Sequence, residues 1–197
     1  MDVIIPRNEV RVFNEFLNKI GYIENKRFNA LYGDRRLIFM NAVTGIKIDV
    51  FFDRFEMSHK FDFKDRLGLC SKTLPISDLL MTKLQIVNIN QKDIMDILVI
   101  FLDHGFGNDS CQNIEAKYIA KHASDDWGKY RTFTANLSKA MQYLPQIPIE
   151  NKLKDIINGR ISALMKEIDT EKKTIKWKIR SIIGERKRWY ELVSDLY

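Results

Sequence analysis

The sequence predicts an α+β fold: a small mixed β-sheet with flanking helices, followed by a helical C-terminal region. Three observations predict it. The stretch Ile46 to Asp53 alternates with period two, with Ile46, Ile48, Val50 and Phe52 on one side and Lys47, Asp49, Phe51 and Asp53 on the other, the pattern of a half-buried strand. The opening residues Met1-Asp2-Val3-Ile4-Ile5-Pro6 read as a second short strand, stopped by proline. From Leu74 onward the apolar period becomes helical.

Length and composition set the limits. The 197 residues suit one ordinary domain or two small ones. Hydrophobic residues at 45% and charged residues at 29% exclude disorder. A net charge of +6 favours an anionic partner without choosing one. Two cysteines, Cys70 and Cys111, make no disulfide framework and no zinc spacing, so the reducing cytosol is the default compartment and a cytoplasmic location is expected. The apolar run Ile97–Leu102 is far short of a membrane span, and no basic leader with an apolar signal core opens the chain, so neither a membrane partner nor secretion is expected.

In chain order, Asn8 caps a helix carrying Val10, Phe13, Phe16, Leu17 and Ile20, with Gly21 as its stop. Phe28–Tyr32 and Arg36–Met40 are β-like runs around the turn signal Gly33-Asp34, which predicts a hairpin. Thr44-Gly45 leads into the Ile46–Asp53 strand, and Phe61–Leu67 adds a further short one. Ser77 and Asn90 are caps for two helices, Leu79 to Val87 and Ile94 to Leu102. After the loop Gly105–Asp109 come a short helix over Ile114–His122, a longer one capped by Ser124, a break at Pro145 and Pro148, and a helix with Leu153, Ile157, Ile161, Leu164 and Ile168 inside. The segment from Lys172 is basic, aromatic and partly helical. The expected boundary lies in the 103–112 loop, dividing an α+β domain, 1–104, from a helical domain, 113–197.

Chemistry enters with Asp49. A strand carboxylate beside apolar residues is either a solvated edge charge or a metal ligand; Mg²⁺ favours carboxylate oxygens completed by substrate phosphates. Asp2 on a short strand and Asp49 on a later one resemble the nucleotidyltransferase fold of the DNA polymerase β superfamily. The runs Thr73-Leu74-Pro75-Ile76-Ser77-Asp78-Leu79-Leu80-Met81-Thr82-Lys83-Leu84-Gln85 and Gln91-Lys92-Asp93-Ile94-Met95-Asp96-Ile97 are similar to the helical part of its bacterial and archaeal branch, including proteins akin to abortive-infection nucleotidyltransferases. Phe55-Glu56-Met57-Ser58-His59 and the Trp177 and Trp189 neighbourhoods are similar to one uncharacterised branch.

The resemblance implies Mg²⁺ held by Asp2 and Asp49, a nucleoside triphosphate as substrate, and transfer of its nucleoside monophosphate to a hydroxyl. It places Lys83 on a phosphate, against the plain alternative of a snorkelling lysine, with Lys92 and Asp93 in a nearby polar network that equally suits a helix cap. The family's glycine turn and first acid are absent, so Met1 stands between Asp2 and a position before the chain; the expectation is that upstream DNA encodes both. The alternative is an inactive module of this fold that binds nucleic acid or a protein. Lys172, Lys173, Lys176, Lys178, Arg180, Arg186, Lys187 and Arg188, interleaved with Trp177, Trp189 and Tyr190, suit RNA or DNA phosphates and bases, or else form a solvated basic face over buried tryptophans. His59, His104 and His122 show no metal or triad spacing.

Overall fold

A computed structural model describes residues 1–192. Among them the chain is α+β, with eight α-helices, a four-stranded mixed sheet and a two-stranded sheet. It forms two compact units, one of residues 1–56 and 60–68, the other of 57–59 and 69–192. The expected boundary lay later, in the 103–112 loop. The helices before that loop fall in the second unit because their apolar faces are buried among the later helices.

In the first unit, β1 (Asp2–Ile5) lies parallel to β4 (Lys47–Phe52). β4 is antiparallel to β3 (Arg36–Asn41), and β3 to β2 (Tyr22–Glu24), giving the order β1-β4-β3-β2. Helix α1 (Val10–Lys19) supplies Leu17 to a core of Ile5, Leu37, Phe39, Ile48, Val50 and Phe52. Gly21, at φ +86°, turns the chain after α1 into β2, a backbone state that suits glycine.

Two expectations need correction here. Phe28–Tyr32 belongs to a helix, α2 (Lys26–Tyr32), whose cap Asn25 accepts the Phe28 N–H. Phe28 and Tyr32, four residues apart, pack their rings at 4.9 Å, a helical pairing that a strand reading misses. Gly33 ends this helix, so β3 forms its hairpin with β4, and β2 pairs with its other edge. β4 is also not half-buried: Ile48 through Phe52 are all buried, because a central strand has neighbours on both edges and cover on both faces.

β4 is followed by Asp53, a non-glycine residue with φ 54°. That conformation costs on the order of 1 kcal/mol. Three hydrogen bonds hold it: Asp53 N donates to Ile5 O, Phe63 N donates to Asp53 O, and Arg7 N donates to the carboxylate. The chain then forms the antiparallel pair β5 (Arg54–Glu56) and β6 (Lys60–Asp62).

The second unit is helical: α3 (Ile76–Leu84), α4 (Gln91–Asp103), α5 (Ala116–Asp125), α6 (Trp127–Tyr143), α7 (Asn151–Thr170) and α8 (Ile175–Ile183). Leu80, Leu84, Ile97, Phe101, Ile119, Phe133, Leu137, Ile161 and Leu164 fill its core. Asn90 caps α4 as expected, through the Asp93 N–H. The other three caps differ. Asn8 lies inside a 3-10 turn, Arg7–Glu9, and α1 starts after Glu9 without a side-chain cap. Pro75 precedes α3, and Ser77 turns inward to accept the Glu115 N–H at 2.7 Å. Asp126, not Ser124, caps α6, its carboxylate accepting from Gly128 N and Lys129 N.

Cys70 and Cys111 form a disulfide with Cα atoms 5.8 Å apart, joining the loop before α3 to the loop after α4 across 41 residues. A closed loop of that length is worth about 3–4 kcal/mol in chain entropy. Residue counting alone gave no reason to pair them. Among the described residues no helix is long and apolar enough to cross a membrane.

Candidate functional site

The sheet order places β1 directly beside β4, and the register sets Asp2 opposite Asp49. Partners in a parallel ladder point to the same face, with neighbouring strands about 4.8 Å apart. The backbone fixes this register: Met1 O accepts from Asp49 N at 2.9 Å, and the terminal ammonium donates to Lys47 O at 2.8 Å. The two carboxylates expected to act together therefore stand side by side.

Their surroundings differ. Asp2 is exposed and has no ion pair among the described residues. Asp49 is 7% exposed. Its Oδ1 accepts from Arg36 Nη2 at 2.9 Å and Nε at 3.2 Å, and its Oδ2 lies 3.3 Å from Lys47 Nζ. The Arg36 guanidinium is itself stacked between the Phe28 and Phe51 rings, 5.3 Å from each centroid. Sequence reasoning missed both cations. Lys47 was legible, since a spacing of two puts it on the Asp49 face of one strand. Arg36 was not, because it reaches Asp49 only through the β3–β4 register.

Among the described residues no group of three or more His, Cys, Asp or Glu converges as a metal cluster. Two carboxylates at one register still meet the usual protein share of an Mg²⁺ site, where substrate phosphates supply further oxygens. The Arg36 and Lys47 cations next to them are phosphate partners by chemistry.

The remaining candidates lie in the helical unit. Lys83 on α3 donates to Asp93 Oδ1 at 3.0 Å and stands 2.7 Å from Asp96 Oδ2, both on α4. Burial alone would lower its pKa, but the hydrogen bonds and charges of Asp96 and Asp93 outweigh that, and the pKa is raised. A phosphate approaching Lys83 meets one cation and two carboxylates, whereas at Asp2 and Asp49 it meets two cations and two carboxylates. Lys92 is exposed in the first turn of α4, with no hydrogen bond or ion pair among the described residues. So the structure joins Asp2 to Asp49 and Lys83 to Asp93, in different units, and leaves Lys92 apart.

The basic C-terminal segment forms α8 and a following turn, and its aromatic rings are engaged within the helical unit. Trp177 meets Tyr130 edge-on at 5.1 Å, and Trp189 meets Trp127 at 6.0 Å. Residues 193–197 lie outside the described residues.

His59, given no role from its spacing, sits in a buried network. Thr132 Oγ1 donates to Gly128 O at 3.0 Å and accepts from Trp189 Nε1 at 3.1 Å. Its remaining lone pair faces His59 Nε2 at 2.8 Å, which assigns the imidazole proton to Nε2. Desolvation lowers the His59 pKa to about 4, against the raising effect of Asp126 and with a smaller lowering by Lys129. A neutral imidazole bonded to a hydroxyl explains a buried histidine without catalysis. No family model, curated protein or solved structure matches the chain.

Proposed function

We propose that this chain is a nucleotidyltransferase-like protein that uses the β1–β4 end of its α+β unit to engage a nucleoside triphosphate. The observation that carries the reading is the register of Asp2 with Asp49, beside the Arg36 and Lys47 cations. In the reaction, an acceptor hydroxyl bonds to the α-phosphorus while the bond to pyrophosphate breaks, and pyrophosphate leaves. Mg²⁺ at Asp2 and Asp49 would offset triphosphate charge and favour the hydroxyl as nucleophile. Arg36 and Lys47 would exchange part of their pairing with Asp49 for phosphate oxygens, so that intramolecular ion pairs are replaced by ligand contacts. Lys83 is read as a tie between α3 and α4.

One observation favours a second reading, an inactive module of the same fold that binds nucleic acid or a protein. Asp49 already has two cationic partners and little exposure, so it is satisfied without metal.

Asp2→Asn separates the two. Asp2 is exposed, so the substitution leaves folding intact. Equilibrium binding of fluorescent ATP and GTP analogues, with and without Mg²⁺, is expected to require Mg²⁺ and to weaken about tenfold or more in Asp2→Asn. Lys83→Met is expected to bind normally. Binding that is absent, or equal in Asp2→Asn and indifferent to Mg²⁺, leaves the inactive module as the correct reading.

A further inference from the structure

Helix α8 is attached the wrong way round for a surface helix. Such helices normally turn their apolar stripe inward. Here the inward side is Trp177, packed on Tyr130, and Arg180, whose guanidinium lies 4.8 Å over the Trp127 ring and donates to Gly184 O and Lys187 O. The Thr174 N–H at its start is tied to Ser124 O. At 100° per residue, Ile175, Ile179, Ile182 and Ile183 share the opposite face, and they are 77%, 60%, 79% and 41% exposed. Lys178 and Lys176 border this stripe, one on each side.

Both charges that border the stripe on α8, Lys176 and Lys178, are positive, and the chain on either side of the helix is basic. Lys172, Lys176, Lys178, Arg186, Lys187 and Arg188 are all exposed and form no ion pair among the described residues. The acid within this run, Glu185, is held by Arg131. Lys173 is spent on the carbonyls at the end of α7.

We infer that the outward face of α8 docks on an anionic lipid surface. The charge pattern selects this occupant. A second copy would bring lysine-rimmed stripes together, at a repulsive cost. A nucleic acid would satisfy the cations but leave four isoleucines without stacking or hydrogen-bonding partners. An acidic bilayer interface takes both, with apolar side chains at the acyl boundary and ammonium groups among the headgroup phosphates. Nine residues lie on such a surface and cannot span it. The contact is independent of nucleotide chemistry at β1 and β4.

Co-sedimentation of the full chain with vesicles tests it. Vesicles of equal parts phosphatidylcholine and phosphatidylserine are expected to carry the protein down, and pure phosphatidylcholine vesicles to leave it in solution. Ile179→Ser with Ile182→Ser changes exposed positions and is expected to lower partitioning about tenfold or more, with the circular dichroism spectrum unchanged. Lys176→Gln with Lys178→Gln should weaken binding and its salt dependence together. The inference is overturned if the wild-type chain ignores the acidic vesicles, or if the isoleucine variant binds them equally. It is also overturned if the wild-type chain sediments as a dimer that the isoleucine variant abolishes, which assigns the stripe to a second copy.

Discussion

The two units hold their buried polar groups differently. In the α+β unit a buried carboxylate, Asp49, is paired with Arg36 and Lys47. In the helical unit, beside the buried Asp78 on α3, neutral groups pair with one another: His59 with Thr132, and Asn136, whose amide donates to Leu84 O and Ile86 O. The ion cluster there, Lys83 with Asp93 and Asp96, sits nearer the surface and has the inverse composition, one cation between two acids. A charged group held near the strand ends can change partners when a ligand arrives. A neutral network sealed between helices can only be kept or lost.

The largest effect expected from this contrast is in acid. The His59 pKa falls from 6.5 to about 4 on folding because burial penalises the imidazolium. Above pH 6.5 the ring is neutral in both states and its contribution is complete. As pH falls from 6.5 toward 4 the unfolded chain takes up the proton first, and the folded state loses up to about 3 kcal/mol from this group; below 4 the loss stops growing. Urea melts of the wild type and His59→Gln across this range should show the pH slope shrinking in the variant. An unchanged slope would remove the neutral network as the acid-sensitive feature of the helical unit.

The next effect lies in the strands. Asp49→Asn takes the carboxylate from two cations at a 7% exposed position. It should destabilise the protein by about 2 kcal/mol, since breaking a buried pair costs more than the pair contributes, while the amide oxygen still accepts one bond. Relief of repulsion from the neighbouring Asp2 works the other way, and the Arg36 and Lys47 contacts outweigh it. A melting temperature equal to wild type would show that these cations do not hold the strand carboxylate.

What was legible in the sequence was local. The Asn90 cap, the Asp2–Ile5 strand, the β4 strand and the apolar stripe of α7 are set by neighbours within a few residues, and each was readable. What depended on contacts far along the chain was not. Phe28–Tyr32 carries strand-forming residues, yet Asn25 and an i, i+4 ring pair make it a helix. Ser77 and Ser124 have cap chemistry, but Pro75 and Asp126 precede the helices, and Ser77 is used by Glu115, 38 residues away. The juxtaposition of Asp2 and Asp49 was expected; the cation pair on Asp49 was not, because Arg36 arrives through strand register. The isoleucines of α8 look like a core stripe in sequence, and only the placement of Trp177 and Arg180 shows that the stripe faces outward.

The smallest effect completes the contrast. Lys83 is partly exposed, as are Asp93 and Asp96, with side chains 26%, 15% and 39% accessible. Lys83→Met keeps the apolar stem that runs beside Leu80 and Leu84 and removes the ammonium. The two acids, three residues apart on α4, then repel with solvent available to screen them, so the cost should be about 1 kcal/mol, below that of Asp49→Asn. The raised Lys83 pKa gives a second signature. Its contribution is complete below the ordinary lysine value of 10.5 and is lost as pH rises through the higher folded value, so a wild-type excess over Lys83→Met should persist at neutral pH and fade only in strong alkali. Guanidinium chloride itself screens such pairs, so urea is the denaturant that reads the difference. A Lys83→Met cost larger than that of Asp49→Asn would invert the comparison. It would make the helical ion cluster, not the strand carboxylate, the more tightly held charge in the molecule.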